Sequence, residues 1–198
     1  MVVDFSKKEQ IQRYKLMSQT VIPRPIAWAV TKGLNGVINV APFSYFTALS
    51  SNPPVLIVSV GHKKDKSPKD TLKNIRESGK CTICVPSLNQ LEKMHLSSKE
   101  LGSDESEAEI FDIDLDEVLK EYPPMIKDSP VAFFCDLYRE IELDGSKTVP
   151  LLLEIKYQYL KEDIVKDKDN LHIEFLPIAR VGKKYYMLGE ELEAPVIK

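Results

Sequence analysis

Four places in the chain combine residue types that can do chemistry. The first is Lys66-Ser67-Pro68-Lys69-Asp70-Thr71. Ser67 suits a helix N-cap, Pro68 the first helical position and Asp70 the third, so a helix is expected from Pro68 to Ser78, ended by Gly79. Free N–H groups at a helix N-terminus carry partial positive charge and attract phosphate. Lys66, Lys69 and the Thr71 hydroxyl would add charge and a donor. The same residues also describe a plain capped surface helix. The second place is Asn39–Thr47, closed by Ser51-Asn52-Pro53-Pro54. It gathers Asn39, Ser44, Thr47, Ser50, Ser51 and Asn52. It reads either as a polar loop stopped by prolines or as a bed of short, orientable hydrogen-bond donors beside a ligand.

The third place is Cys81-Thr82-Ile83-Cys84, which has the spacing of a redox pair. Its setting, after a helix and before Pro86, is that of a strand. Residues three apart on a strand point to opposite faces, so the sulfurs diverge and the pair reads as two core residues. Cys135 is expected in the core as well. The fourth is His95, at helical spacing with Leu88, Leu91 and Met94, behind a Ser87–Gln90 capping box. It is open to a pocket role or a structural one. His62 and His172 stand far from it, and no paired Cys/His spacing suggests a metal.

Several classes are excluded. The chain has neither a GxGxxG nor a GxxxxGK[ST] fingerprint, and no GxSxG elbow. Its 27 Lys+Arg nearly cancel 30 Asp+Glu, leaving a net charge of −3, which argues against nucleic-acid binding. The longest apolar run, Val55–Val60, is too short to cross a bilayer, so no membrane partner is expected. The N-terminus has no secretory pattern, and three cysteines suit a reducing, cytoplasmic setting.

The positioning elements follow from periodicity. Residues 7–18 form a lead-in helix or coil. Pro23 and Pro25 force extended backbone. Ile26–Thr31 alternates large and small residues and reads as a strand with one bulky face in a core. Gly33–Gly36 turns it into a return strand at Val37–Val40. Val55–Val60 is a buried strand. Residues 102–121 are acidic and read as an excursion, either a solvated face or a lid or partner surface. Residues 161–170 are a charged turn. One domain spans residues 1–198, with no internal boundary.

Taken in order, Arg24-Pro25-Ile26-Ala27, Asn39-x-Ala41-Pro42-Phe43-Ser44-x-Phe46, Pro53-Pro54 and Lys69-Asp70-Thr71-x-x-Asn74-Ile75 resemble the flavin reductase-like, FMN-binding split-barrel family, in its flavoredoxin-type branch. Pro130–Leu137 and Leu176–Tyr185 resemble a barrel strand and the closing segment, so the likeness spans about residues 20–190. The resemblance implies a mostly β fold with peripheral helices, a six-stranded antiparallel split barrel that forms a homodimer and holds FMN near the subunit interface. It implies cofactor contacts from Arg24, Ala27, Asn39, Ala41, Pro42, Phe43, Ser44, Ser59, Lys66, Lys69, Asp70 and Thr71. The function it implies is NAD(P)H-dependent reduction of FMN, with electrons passed to a small-molecule or protein acceptor. An FMN electron carrier with no nicotinamide site and a non-enzymatic flavin-binding protein are the alternatives. No catalytic side chain is required, because such a cofactor carries the redox step itself.

Overall fold

The computed structural model describes residues 1–190. Ala27–Lys32 (β1) and Ile38–Phe43 (β2) form the expected hairpin, with Ala27 opposite Phe43 and Lys32 opposite Ile38. Gly36 in its turn has φ 85°, where a side chain would be strained. Phe46–Ser51 (β3), Pro54–Gly61 (β4), Lys80–Val85 (β5), Val131–Glu140 (β6) and Thr148–Leu160 (β7) complete one sheet. Its order is β2-β1-β5-β6-β7-β4-β3, antiparallel throughout.

The sheet has seven strands rather than six. The addition is β3, which the sequence presents as part of a polar loop. From Thr47 to Ser51 it is exposed, so it carries no alternation of apolar and polar residues. A bulge between Ala48 and Ser50 further breaks its period. β2 and β3 are the two edges, yet only Ser44 and Tyr45 join them. Two linking residues reach about 10 Å at most, so the sheet must curl until its edges meet. The edges do not pair with each other, which leaves the barrel split. The Ser59 N–H donates to the Tyr45 carbonyl at 2.9 Å, extending the β3–β4 ladder into that link.

The curl divides the core in two. Inside it Ala27, Ala29, Val58, Ile83 and Leu153 pack against Leu72 and Ile75 of the helix Asp70–Ser78. Outside it Trp28, Val30, Val40, Phe134 and Ile178 pack with Met94. β1 is therefore buried on both faces, not one. Its small face, Ala27 and Ala29, lets the helix come close. Each fully buried Leu or Ile contributes about 1.5–3 kcal/mol, so this contact anchors the helix. Cys81 lies in the inner core and Cys84 in the outer, as the strand reading requires.

The helices are Gln10–Thr20 (α1), Asp70–Ser78 (α2), Leu91–Leu96 (α3) and Glu107–Ile110 (α4). Gly79 closes α2 at φ 71°. The Ser87 N–H donates to Gln90 Oε1 at 3.0 Å, completing the expected capping box before α3. Residues 161–170 contain a single turn of 3₁₀ helix, Glu162–Ile164, and a short strand, Val165–Asp167. Ile178–Val181 (β8) and Lys184–Met187 (β9) form a separate two-stranded ribbon instead of closing the main sheet. Among the described residues, no helix is long and apolar enough to cross a membrane.

The acidic excursion has a structural task. Ser106 Oγ donates to the Ile38 carbonyl at 2.6 Å, and Glu107 Oε2 accepts from the Val40 N–H at 2.9 Å. These are the groups β2 turns outward at its free edge. One donor and one acceptor thus replace a neighbouring strand.

Candidate functional site

α2 starts two residues later than expected. Lys69, not Ser67, is its N-cap, and no side chain caps it. Ser67 is taken instead by an Asx turn: its hydroxyl donates to Asp65 Oδ1 at 2.6 Å and its N–H to the same oxygen at 2.9 Å. The N–H groups of Asp70, Thr71 and Leu72 consequently have no acceptor among the described residues. Unpaired donors at a helix start form a positive, anion-seeking end.

A cleft of about 100 Å³ opens there. It brings together Asn39, Ala41, Pro42, Phe43, Lys69, Asp70 and Thr71, all expected, with Lys63, Ser98, Lys99 and the carboxylates Glu100 and Glu107, which were not. Behind it a buried network locks the helix start to the sheet. Asn39 Nδ2 donates to Thr71 Oγ1 at 2.9 Å, and Asn74 Nδ2 donates to Thr31 Oγ1 at 3.1 Å. Thr71 accepts in this network and is itself buried, at the base of the cleft.

Lys63 takes the place foreseen for Lys66. Its ammonium lies 2.8 Å from Asp70 Oδ2, with both side chains largely shielded from solvent. Asp70 thereby positions Lys63 and is neutralised by it. Lys66 has φ 72° in the preceding turn, is exposed, and does not line the cleft. Glu107 brings a buried carboxylate to the cleft, and burial raises its pKa above the ordinary carboxylate value. In the sequence Glu107 is only one member of an acidic run; its role rests on a contact with β2 far away in the chain.

Three other expected residues lie elsewhere. Arg24 is buried with its guanidinium on the carbonyls of Ser18, Val21 and Gly182, clamping α1 to the β8–β9 ribbon. Ala27 is fully buried in the inner core, so its side chain meets no ligand. Ser59 is half-buried on β4 opposite Pro150 and lines neither the cleft nor its extension.

Across Pro42, Phe43 and Ser98 the cleft continues into a notch of about 200 Å³ that holds Ser44. Ile26, buried, and Met94, fully buried, contribute to its floor. Its far wall carries His95, Arg180 and Tyr185. Tyr185 Oη lies 3.0 Å from His95 Nδ1, and the Arg180 guanidinium carbon lies 4.3 Å over the Tyr185 ring. His95 is thus a pocket residue. A larger cleft of about 480 Å³ lies beside Trp28 and Phe175, but its lysines 93, 127 and 161 stand with Asp114, Asp128 and Asp163.

Cys81 and Cys84 offer no redox pair, since they lie in different cores. Cys84 is fully buried and its thiol is pushed up to about 12, chiefly by burial, so no thiolate forms at neutral pH. Cys135 is buried opposite Cys81, and its thiol is likewise raised, first by hydrogen bonding with Cys81 and then by burial.

Fold and site together define a curled, split antiparallel barrel with a cleft, open to an uncapped helix start, against its first hairpin. The chain belongs to the flavin reductase like domain family, whose profile matches residues 17–171. The uncharacterized protein YwrF of Bacillus subtilis is 36% identical over 185 residues, covering 90% of each chain. Among solved structures, the 2-nitrobenzoate 2-nitroreductase NbaA of Pseudomonas fluorescens is similar with a TM-score of 0.88 at 30% identity, covering 100% of this chain and 96% of that one. Nitrilotriacetate monooxygenase component B from Bacillus cereus has a TM-score of 0.88 at 27% identity, covering 98% of each chain.

Proposed function

We propose that the protein is an FMN-binding oxidoreductase of flavin reductase type, using NAD(P)H as reductant and passing electrons to a small-molecule or protein acceptor. The observation that carries this reading is the uncapped start of α2, open to a cleft with Lys63, Lys69 and Thr71. That donor set fits a phosphate ester. Backbone N–H groups, two cations and one hydroxyl would hold the phosphate, and the Ala41–Ser44 segment would border the rest of the cofactor. When bound, FMN supplies the redox chemistry, accepting a hydride and releasing electrons. The chain's own residues bind and orient. Asp70 holds Lys63 in place, and Asn39 orients the Thr71 hydroxyl. Family membership and the oxidoreductase names of the two structural relatives support the same reading.

We also propose a homodimer. β3 is an open edge whose Thr47–Ser51 stretch is exposed, and Leu49 is 54% exposed. A bare strand edge invites pairing unless it is covered, and a second copy of this chain is the cover proposed.

The test compares FMN with riboflavin, which lacks the phosphate. Hydrogen bonds to a charged group contribute about 1.5–3 kcal/mol each. Lys63→Met and Thr71→Val should each weaken FMN by roughly ten- to a hundredfold and leave riboflavin almost unchanged. Equal weakening of both flavins would remove the phosphate assignment. Anaerobic addition of NADH or NADPH to the loaded protein should bleach its yellow colour at catalytic speed. Bleaching by dithionite alone would make the protein an electron carrier, and failure to bind any flavin would end the reading.

A further inference from the structure

We infer that the notch walled by Arg180, Tyr185 and His95 is a subsite for a small aromatic carboxylate. The first ground is charge. Arg24 and Arg180 face each other across a backbone bridge, and neither forms an ion pair among the described residues. Arg24 is turned onto three carbonyls. Arg180 makes one side-chain hydrogen bond among the described residues, from Nε to the Gly182 carbonyl at 3.3 Å. Its terminal nitrogens have no acceptor among the described residues. A planar guanidinium with free donors matches a carboxylate's two oxygens better than any point charge does.

The second ground is preorganisation. Arg180 stacks on Tyr185, whose hydroxyl meets His95 Nδ1, and the His95 ring stands edge-on to Tyr185 at 83°. These contacts hold the fork and a neighbouring hydroxyl at one end of the notch. The third ground is the floor. Pro42 and Phe43, both half-buried, provide apolar surface beside this polar end, over a base of buried Ile26 and Met94. A flat ring suits the floor, and an anionic group on it suits the wall. The volume of about 200 Å³ suits one ring and its substituents rather than a dinucleotide.

The inference deepens the proposed function and rests on it only for what the ligand does once bound. Through Pro42, Phe43 and Ser98 the notch adjoins the cleft, so the ligand would stand beside a cofactor held there.

Benzoate and its neutral isostere benzamide are the probes, titrated by ligand-detected NMR against the protein with and without FMN. Benzoate should bind at least tenfold more tightly than benzamide. Arg180→Gln should erase that preference, with FMN affinity held within twofold. Tyr185→Phe, which keeps the ring under Arg180, should retain most of the preference. Equal binding of the two probes to the unaltered protein would overturn the inference without any variant. Arg180→Gln weakening FMN as much as benzoate would also overturn it, by giving the notch to the flavin. FMN binding without a benzoate preference defeats this inference alone. A benzoate preference in a protein that ignores FMN defeats the flavin reading and leaves the subsite standing.

Discussion

The two edge strands of the sheet follow each other in the chain and are treated in opposite ways. β2 is covered: Ser106 and Glu107 supply the donor and acceptor that a neighbouring strand would bring. It also carries Asn39 through Phe43, one wall of the cleft. β3 has Leu49 more than half exposed and a polar, bulged backbone. The contrast teaches that the chain shields the edge bearing its site with its own residues. It leaves the edge without a site bare, which is where the proposed dimer would form.

The contrast can be broken most visibly at the bare edge. Leu49→Glu should convert a dimer into a monomer by light scattering at micromolar concentration, with the circular dichroism spectrum unchanged. An unaltered protein that is already monomeric with FMN bound would end the dimer proposal. On the covered edge the larger effect should fall on stability. Asn39→Ala strips a buried hydroxyl of its partner and should cost about 1–3 kcal/mol, read as a lower urea midpoint. Thr47→Ala on β3, exposed, should stay within about 0.5 kcal/mol. Equal losses at the two positions would mean that the edges differ less than their burial implies.

The smallest effect concerns Glu107. Burial raises its pKa in the folded chain above the ordinary carboxylate value. The folded state therefore holds this proton more tightly than the unfolded state does. Its contribution to stability is fully present below the unfolded pKa and is lost as pH rises through the folded one. Glu107→Gln keeps an acceptor for the Val40 N–H and removes the titration. The unaltered protein should therefore lose stability relative to the Gln variant as pH rises above about 4.3, where an unfolded Glu ionises. Urea midpoints of both proteins, measured across that range, check the sign. Parallel stability curves would show that burial does not raise the Glu107 pKa.

Much of the cleft was legible in the residues. Asn39, Ala41–Phe43 and Lys69–Thr71 fall in short runs whose order carries the family likeness, and the structure gathers them. Arg24 stands in an equally recognisable run but points away, because the carbonyls of Ser18, Val21 and Gly182 claim its guanidinium. A motif marks residues kept together in sequence. It does not separate those that meet a ligand from those that hold the frame.

The sequence by itself determined the β1–β2 hairpin, the buried strands β4 and β5, the helix α2 with its glycine stop, and the divergence of Cys81 from Cys84. These depend on periodicity and turn chemistry, which act over a few residues. Only the tertiary structure decided that Lys63 rather than Lys66 lines the cleft, since Lys66 sits exposed in a left-handed turn outside the lining. It decided that β3 is a strand, because an exposed edge has no apolar period to read. It joined His95 to Tyr185 and Glu107 to Val40, partners 90 and 67 residues apart. Contacts at such separation leave no mark on the neighbouring sequence, because they form only when the curl of the sheet brings distant segments together.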